Sequence, residues 1–144
     1  MNLVSEHADK YAVKAIIRRA DGRVLQLRRS ASHPHIPFTP DIPGGTLDGD
    51  EGVVAALVRE VSEETGLDIS SAHTTLVSET VRQDEYMSAR IALYEVTDFD
   101  EHQEVVLSYE HDAYEWVEVA DLEEAGFFKE PVQAYVAAHN KRAS

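Results

Sequence analysis

The 144-residue chain contains no cysteine. That excludes a disulfide scaffold, a zinc site built on thiolates and a cysteine nucleophile. It suits a reducing compartment. No apolar run approaches the roughly 20 residues of a membrane span. The N-terminal stretch, Met1-Asn-Leu-Val-Ser-Glu-His-Ala-Asp, has neither a basic start nor an apolar core, so it does not read as a signal peptide. Cations are scarce: Lys plus Arg is 13 against 27 for Asp plus Glu, a formal charge of −14. An anionic surface disfavours nucleic acid and anionic membrane as partners, because phosphate backbones need cations. The expectation is a cytoplasmic chain with neither partner.

What is present suits one folded unit. The apolar share of 43% with 28% charged is too rich for a disordered chain. No internal repeat, low-complexity tract or long linker divides it, so residues 1–144 read as a single domain. The charge is uneven. Residues 1–44 carry +3, residues 45–67 carry −5, and residues 95–144 carry −10. The basic part holds Lys14, Arg18, Arg19, Arg23, Arg28 and Arg29. These either edge exposed strands or, for one or two of them, meet an anionic substrate. The acidic C-terminal part reads first as solubility charge, with a homodimer edge or another partner surface as alternatives.

The elements follow from pattern and punctuation. Tyr11 to Ile17 and Val24 to Arg28 read as strands joined in a hairpin by Asp21-Gly22. Ser30 to Pro43 holds four prolines and reads as an irregular loop closed by Gly44-Gly45. Asp50 to Thr65 reads as a helix started by acidic residues and stopped by Gly66 in a left-handed cap. Thr74 to Val81, Arg90 to Val96 and Tyr114 to Val119 read as strands, with a short helix or turn over Ala120 to Ala125. A last helix runs from Glu130 to Lys141, with Pro131 in its first turn and Val132, Tyr135, Val136 and His139 on one face. Strands with helices between and after them indicate an α+β or mixed α/β sandwich.

Chemistry concentrates near the first helix. Glu60, Glu63 and Glu64 stand at i, i+3 and i+4 and share a helix face. The same sector earlier carries Val53, Ala56 and Leu57, so an apolar stripe turns acidic towards the helix end. Like charges at that spacing repel by a few tenths of a kcal/mol each. An exposed acidic helix end is one reading. A site for a hard divalent cation is the other, since Mg²⁺ needs only a few carboxylates and keeps several waters.

The surrounding spacing is more specific. Residues 45–67 match G-x5-E-x7-R-E-U-x-E-E-x-G-U, with U a bulky aliphatic residue, at Gly45, Glu51, Arg59, Glu60, Val61, Glu63, Glu64, Gly66 and Leu67. A chance match in one chain is on the order of one in a million. The stretch is the Nudix box, and the chain resembles a MutT-like Nudix hydrolase. Pro43-Gly44-Gly45 is the usual lead-in, and the resemblance extends over about residues 11–140. It implies an α+β fold of α/β/α sandwich type, with a mixed β-sheet between helices and the box as loop–helix–loop. It also implies Mg²⁺- or Mn²⁺-dependent cleavage of a phosphoanhydride in a nucleoside diphosphate linked to a group X.

Roles come with the resemblance, residue by residue. Glu60, Glu63 and Glu64 are implied metal ligands and catalytic groups, with the Gly45 carbonyl as a further ligand. Glu51 and Arg59 are an implied pair that holds the box together, and Gly66 stops its helix. Gly44 and Gly45 let the backbone approach a ligand closely. Either Glu64 or Glu110, six residues before Trp116, is the general base. Arg29, at the end of the strand before the loop, is the implied phosphate contact, and Arg28 points the other way, so one of the two is exposed. Val61 and Leu67 are expected in the core. His33, Phe38 and Tyr86 could stack on a base, but read better as loop or core residues. His102 and His111 read as exposed loop histidines.

Substrate choice rests on elimination. The Ser-Gln-Pro-Trp segment of NADH-cleaving members is absent after Leu67, and no proline lies between Pro43 and Pro131, so the proline that marks many ADP-ribose-cleaving members is missing. The loop before the box does not match the coenzyme A-cleaving pattern. A small-molecule nucleoside triphosphate, or an oxidised form of one, is left as the leading substrate. The alternatives are a nucleotide sugar, ADP-ribose, a dinucleoside polyphosphate, or a non-catalytic nucleotide-binding role.

Overall fold

The computed structural model describes residues 10–83, 85 and 88–143. The N-terminal stretch and Tyr86 lie outside the described residues. The elements run β1 (Lys10–Ile17), β2 (Val24–Arg29), β3 (Pro40–Asp41), β4 (Gly44–Thr46), α1 (Val53–Thr65), β5 (His73–Gln83), β6 (Ser88–Thr97), β7 (His111–Val117) and α2 (Lys129–Ala143), with a 3₁₀ turn at Val119–Asp121.

The strands form two sheets. The larger has the order β4-β1-β6-β5, the smaller β3-β2-β7. Strand β1 pairs parallel to β6 and antiparallel to β4, so the larger sheet is mixed. Alternation along β1 separates two cores. Val13, Ala15 and Ile17 face a cluster with Ala56, Leu57 and Val61 of α1. Ile16 faces the other cluster, with Ile91, Leu93, Phe128 and Val132. Helix α1 therefore covers one face and α2 the other, which is the sandwich the pattern implied. Leu25, Leu27 and Trp116 of the smaller sheet close the first cluster.

Two local expectations change. The Asp21-Gly22 turn forms, with the Arg19 N–H donating to the Arg23 carbonyl at 2.8 Å and Gly22 at φ 91°. The arms, however, meet only at one bridge, Arg18 to Val24, and then enter different sheets. Both edges of β1 are already taken by β4 and β6, so β2 pairs with β3 and β7 instead. The first helix begins at Val53, and its first turn has no acidic residue. Glu51 is drawn away from the helix start to bond Arg59. The helix stop is as expected: Gly66 lies at φ 74° and its N–H donates to the Ser62 carbonyl. Val61 and Leu67 are buried. In α2, Val132 is buried with Tyr135 and Val136 packed beside it.

Candidate active site

The site is built where α1, β4 and the loop before β7 meet. Arg59 is its clasp. Its Nε and Nη2 reach the two Glu51 oxygens at 2.8 and 2.9 Å, and Nη1 reaches Glu60 Oε1 at 2.9 Å. Nη1 also touches Glu63 at 3.3 Å, and Nη2 the Thr46 carbonyl at 3.2 Å. One guanidinium thus ties the loop after β4 to the helix. The hydrogen bond from Arg59 holds the Glu51 carboxyl down at about 2.

The three glutamates differ in setting. Glu63 is mostly exposed, whereas Glu60 is largely covered and Glu64 is buried. Glu64 Oε1 accepts the Gly44 N–H at 2.8 Å. Burial pushes the Glu64 carboxyl up to about 8, against the lowering by the Gly44 bond and Lys14. Burial also raises Glu60. Both are pushed further by Glu110, so the loop carboxylate stands within electrostatic reach of the helix pair. The loop is docked on the end of α1: Val106 N–H donates to the Thr65 carbonyl at 2.8 Å and Ser108 N–H to the Glu64 carbonyl at 3.2 Å.

The glycines have geometric reasons. Gly44 lies at φ 145°, and a Cβ there would meet the Val13 carbonyl oxygen at 2.1 Å. A Cβ on Gly45 would meet the Glu60 carboxyl carbon at 2.5 Å. Gly45 therefore lets the helix carboxylate lie directly against the strand backbone.

Donor chemistry fits a hard divalent cation: Glu60, Glu63, Glu64 and the Gly45 carbonyl are all oxygen donors. Crowding of desolvated carboxylates is the feature a cation would relieve. Among the described residues, no three His, Asp or Glu side chains close into a cage around one point. Arg59 holds Glu60 and Glu63 to one side and Gly44 holds Glu64. A cation that keeps most of its waters needs no such cage.

Arg28 and Arg29 do face opposite ways, and Arg28 is the exposed one. It pairs with Asp112 at 2.7 and 2.9 Å and stands over the Phe38 ring. Arg29 is corrected as an open phosphate contact, because its side chain is buried and both its Nη groups are engaged by acceptors of the protein. Its guanidinium donates to Pro40 O at 2.6 Å, Thr39 Oγ1 at 3.2 Å, Asp41 Oδ1 at 2.9 Å and Glu124 Oε1 at 2.8 Å. His111 is also corrected. It is buried at the start of β7, and its Nε2 bonds Asp41 Oδ2 at 2.7 Å. His102 is exposed as expected. Phe38 is exposed at φ 61°, and His33 Nδ1 accepts the His35 and Ile36 N–H groups in its own loop.

Sequence reasoning missed a buried ionic cluster behind the carboxylates. Lys14 joins Asp41 and Glu124, and Arg29 joins the same two acids. Burial opposes the Lys14 charge, but Asp41 and Glu124 outweigh it and the ammonium is held well above its ordinary value. For Asp41 too, burial opposes ionisation, and Lys14, His111 and Arg29 overcome it and hold the carboxyl well below the usual range. Lys14 and Glu124 are 110 residues apart, so no spacing could reveal the group. Arg29, Asp41 and His111 also line a cleft of about 230 Å³ that Tyr109 and Glu110 border. A larger groove of about 760 Å³ lies elsewhere, between β5 and α2, and contains none of the box carboxylates.

Fold and site together define an α+β protein with a carboxylate site where a helix end meets a glycine-bearing strand. The family model described as NUDIX domain matches residues 9–137, and the chain belongs to the Nudix family. Enzymes of this family generally use divalent metals such as Mg²⁺. A MutT-like protein of Streptomyces ambofaciens is 39% identical over 56 residues, covering 39% of this chain and 33% of that protein. An RNA pyrophosphohydrolase of Acidiphilium cryptum is 40% identical over 52 residues, covering 36% of this chain and 31% of that protein. The chain thus spans about a third of the length of these relatives. The crystal structure of the MutT protein from Methanosarcina mazei aligns with a TM-score of 0.74 and 26% identity, covering 92% of this chain and 95% of that one.

Proposed function

We propose that the chain hydrolyses a phosphoanhydride bond in a small nucleoside diphosphate linked to a group X, with a nucleoside triphosphate or its oxidised form as substrate. The observation that carries this reading is Glu64. Its carboxylate is buried within electrostatic reach of Glu110, with one oxygen held by the Gly44 N–H. An acidic pocket repels a polyphosphate on its own. The reading therefore includes Mg²⁺ or Mn²⁺, held by Glu60, Glu63, Glu64 and the Gly45 carbonyl. Bound there, the metal supplies charge neutralisation for the phosphate oxygens and acidifies water.

The protein groups divide the remaining work. Arg59 and Glu51 hold the box loop against α1, so the Glu60 carboxylate and the Gly45 carbonyl keep their mutual position. Glu64 is the first candidate proton acceptor: its carboxylate is buried in the site and one of its oxygens is fixed by the Gly44 N–H. Glu110 is the second candidate acceptor, brought to the site by the loop docked on Thr65 and Glu64. Gly44 and Gly45 present backbone where a substrate must approach. Arg28, the exposed arginine of the pair, is the one open to an anionic ligand. The name of one similar protein, RNA pyrophosphohydrolase, supports the same class of reaction.

The test is metal-dependent release of phosphate or pyrophosphate across nucleoside triphosphates, ADP-ribose, dinucleoside polyphosphates and nucleotide sugars. Turnover of a triphosphate that stops on chelation is expected. Binding of a nonhydrolysable nucleotide with no turnover of any panel member would replace hydrolysis with a binding role.

A further inference from the structure

We propose that Asp41 is a positioning residue for Glu64, acting through the backbone of residues 41–44. The inference rests on the hydrolase reading above. Asp41 is the hub of the buried cluster. Its Oδ1 is shared by Lys14 Nζ, Arg29 Nη2 at 2.9 Å and its neighbour's amide, Ile42 N–H, at 2.8 Å. Its Oδ2 takes His111 Nε2 at 2.7 Å. Groups from β1, β2 and β7 thus converge on one carboxylate at the end of β3.

Three residues further on, Gly44 donates its N–H to Glu64. The chain between them has little freedom. Ile42 is buried, and the Pro43 carbonyl accepts the Ala15 N–H at 2.9 Å. Gly44 itself lies in register with Lys14, with the strands too close for any side chain there. Lys14 is therefore bound to Asp41 at its ammonium and fitted against Gly44 at its stem. The direction of the Gly44 N–H is set from Asp41 on one side and from Lys14 on the other. The Asp41 carboxylate bonds Lys14, Arg29, the Ile42 amide and His111 rather than a box residue, and its part is to aim the donor that orients Glu64.

The cluster also balances charge. Lys14 and Arg29 face Asp41 and Glu124 in a nearly water-free space. Replacing Asp41 by Asn leaves two cations with one anion, so the buried side chains must rearrange. The segment carrying Gly44 is what they are attached to.

The experiment is a double-mutant cycle between Asp41→Asn and Glu64→Gln in the full chain, with amide hydrogen exchange read in parallel. In the wild-type background, D41N is expected to lower kcat about tenfold or more while KM stays within about threefold. In the E64Q background the same change is expected to lower kcat by less than about twofold, because the group being positioned is already gone. Exchange of the Gly44 amide is expected to quicken about tenfold in D41N, with Val61 and Ala92 amides unchanged as core controls. An additive cycle, or an unchanged Gly44 amide in folded D41N, overturns the proposal. If D41N does not fold by circular dichroism, Asp41→Glu keeps the charge, displaces the carboxylate and is judged by the same criteria. If the wild-type chain turns over no nucleotide, the hydrolase reading fails, and the Gly44 amide alone decides whether Asp41 sets this backbone.

Discussion

Replacing Glu64 by Gln leaves an oxygen for the Gly44 N–H to bond and removes the carboxylate. The expected outcome is a folded protein whose turnover falls about 100-fold or more, read as kcat with circular dichroism as the folding control. The same residue gives the metal-free protein a pH dependence. The Glu64 carboxyl is raised in the fold to about 8, so between about 4.5 and 8 the folded state holds a proton that the unfolded state has released. Stability therefore falls as pH rises through that window and levels above it. Thermal melts in chelator from pH 5 to 8 check the sign, and E64Q should flatten the slope. Glu64 as a residue of interest is legible from its place in the box. Its burial is not, because Glu63 at the neighbouring position has the same chemistry and is exposed.

The short strand β4 and helix α1 act as a pair, and the two glycines of the strand should behave differently. Gly44→Ala brings a methyl against the Val13 carbonyl and the Lys14 backbone, which cannot yield. A loss of about 2–4 kcal/mol by denaturant unfolding is expected. The nearest atoms to a Gly45→Ala methyl belong to the Glu60 carboxylate, the far end of a side chain. Turnover should fall there with stability changed by less than about 1 kcal/mol. Between strand and helix, the Arg59–Glu51 clasp is partly exposed. Arg59→Met is expected to cost only about 1 kcal/mol, and less in high salt, while activity drops through release of the box loop. The helix end and the box were readable because αL glycine and fixed spacing are local signals. The expected acidic helix start does not form, because Glu51 bonds a side chain eight residues on rather than the helix terminus.

Across the whole molecule, the buried cluster joins the N-terminal strand to the C-terminal third. Glu124 accepts Arg29, Lys14 and the N–H groups of Ala125 and Gly126. Glu124→Gln keeps an acceptor and removes the charge, leaving two buried cations with one acid. A loss of about 3–5 kcal/mol is expected by denaturant unfolding, with little salt dependence. The contrast with Arg59→Met separates a desolvated pair from a surface one. One acid of the −10 segment thus has a structural task. No described helix is long and apolar enough to cross a membrane.

The box, its helix and stop, the strand over Tyr11–Ile17 and the opposite directions of Arg28 and Arg29 were all legible in the amino-acid order. Each of these depends on residues close together in the chain, where helix and strand periods dictate geometry. That β2 leaves β1 for another sheet came from long-range packing. It alone placed Arg29 in an ionic cluster, buried His111 beside Asp41 and joined Glu124 to Lys14. Those outcomes depend on which strand edge is free and on which charges share a space without water. The opposing partners stand as many as 110 residues apart in the chain.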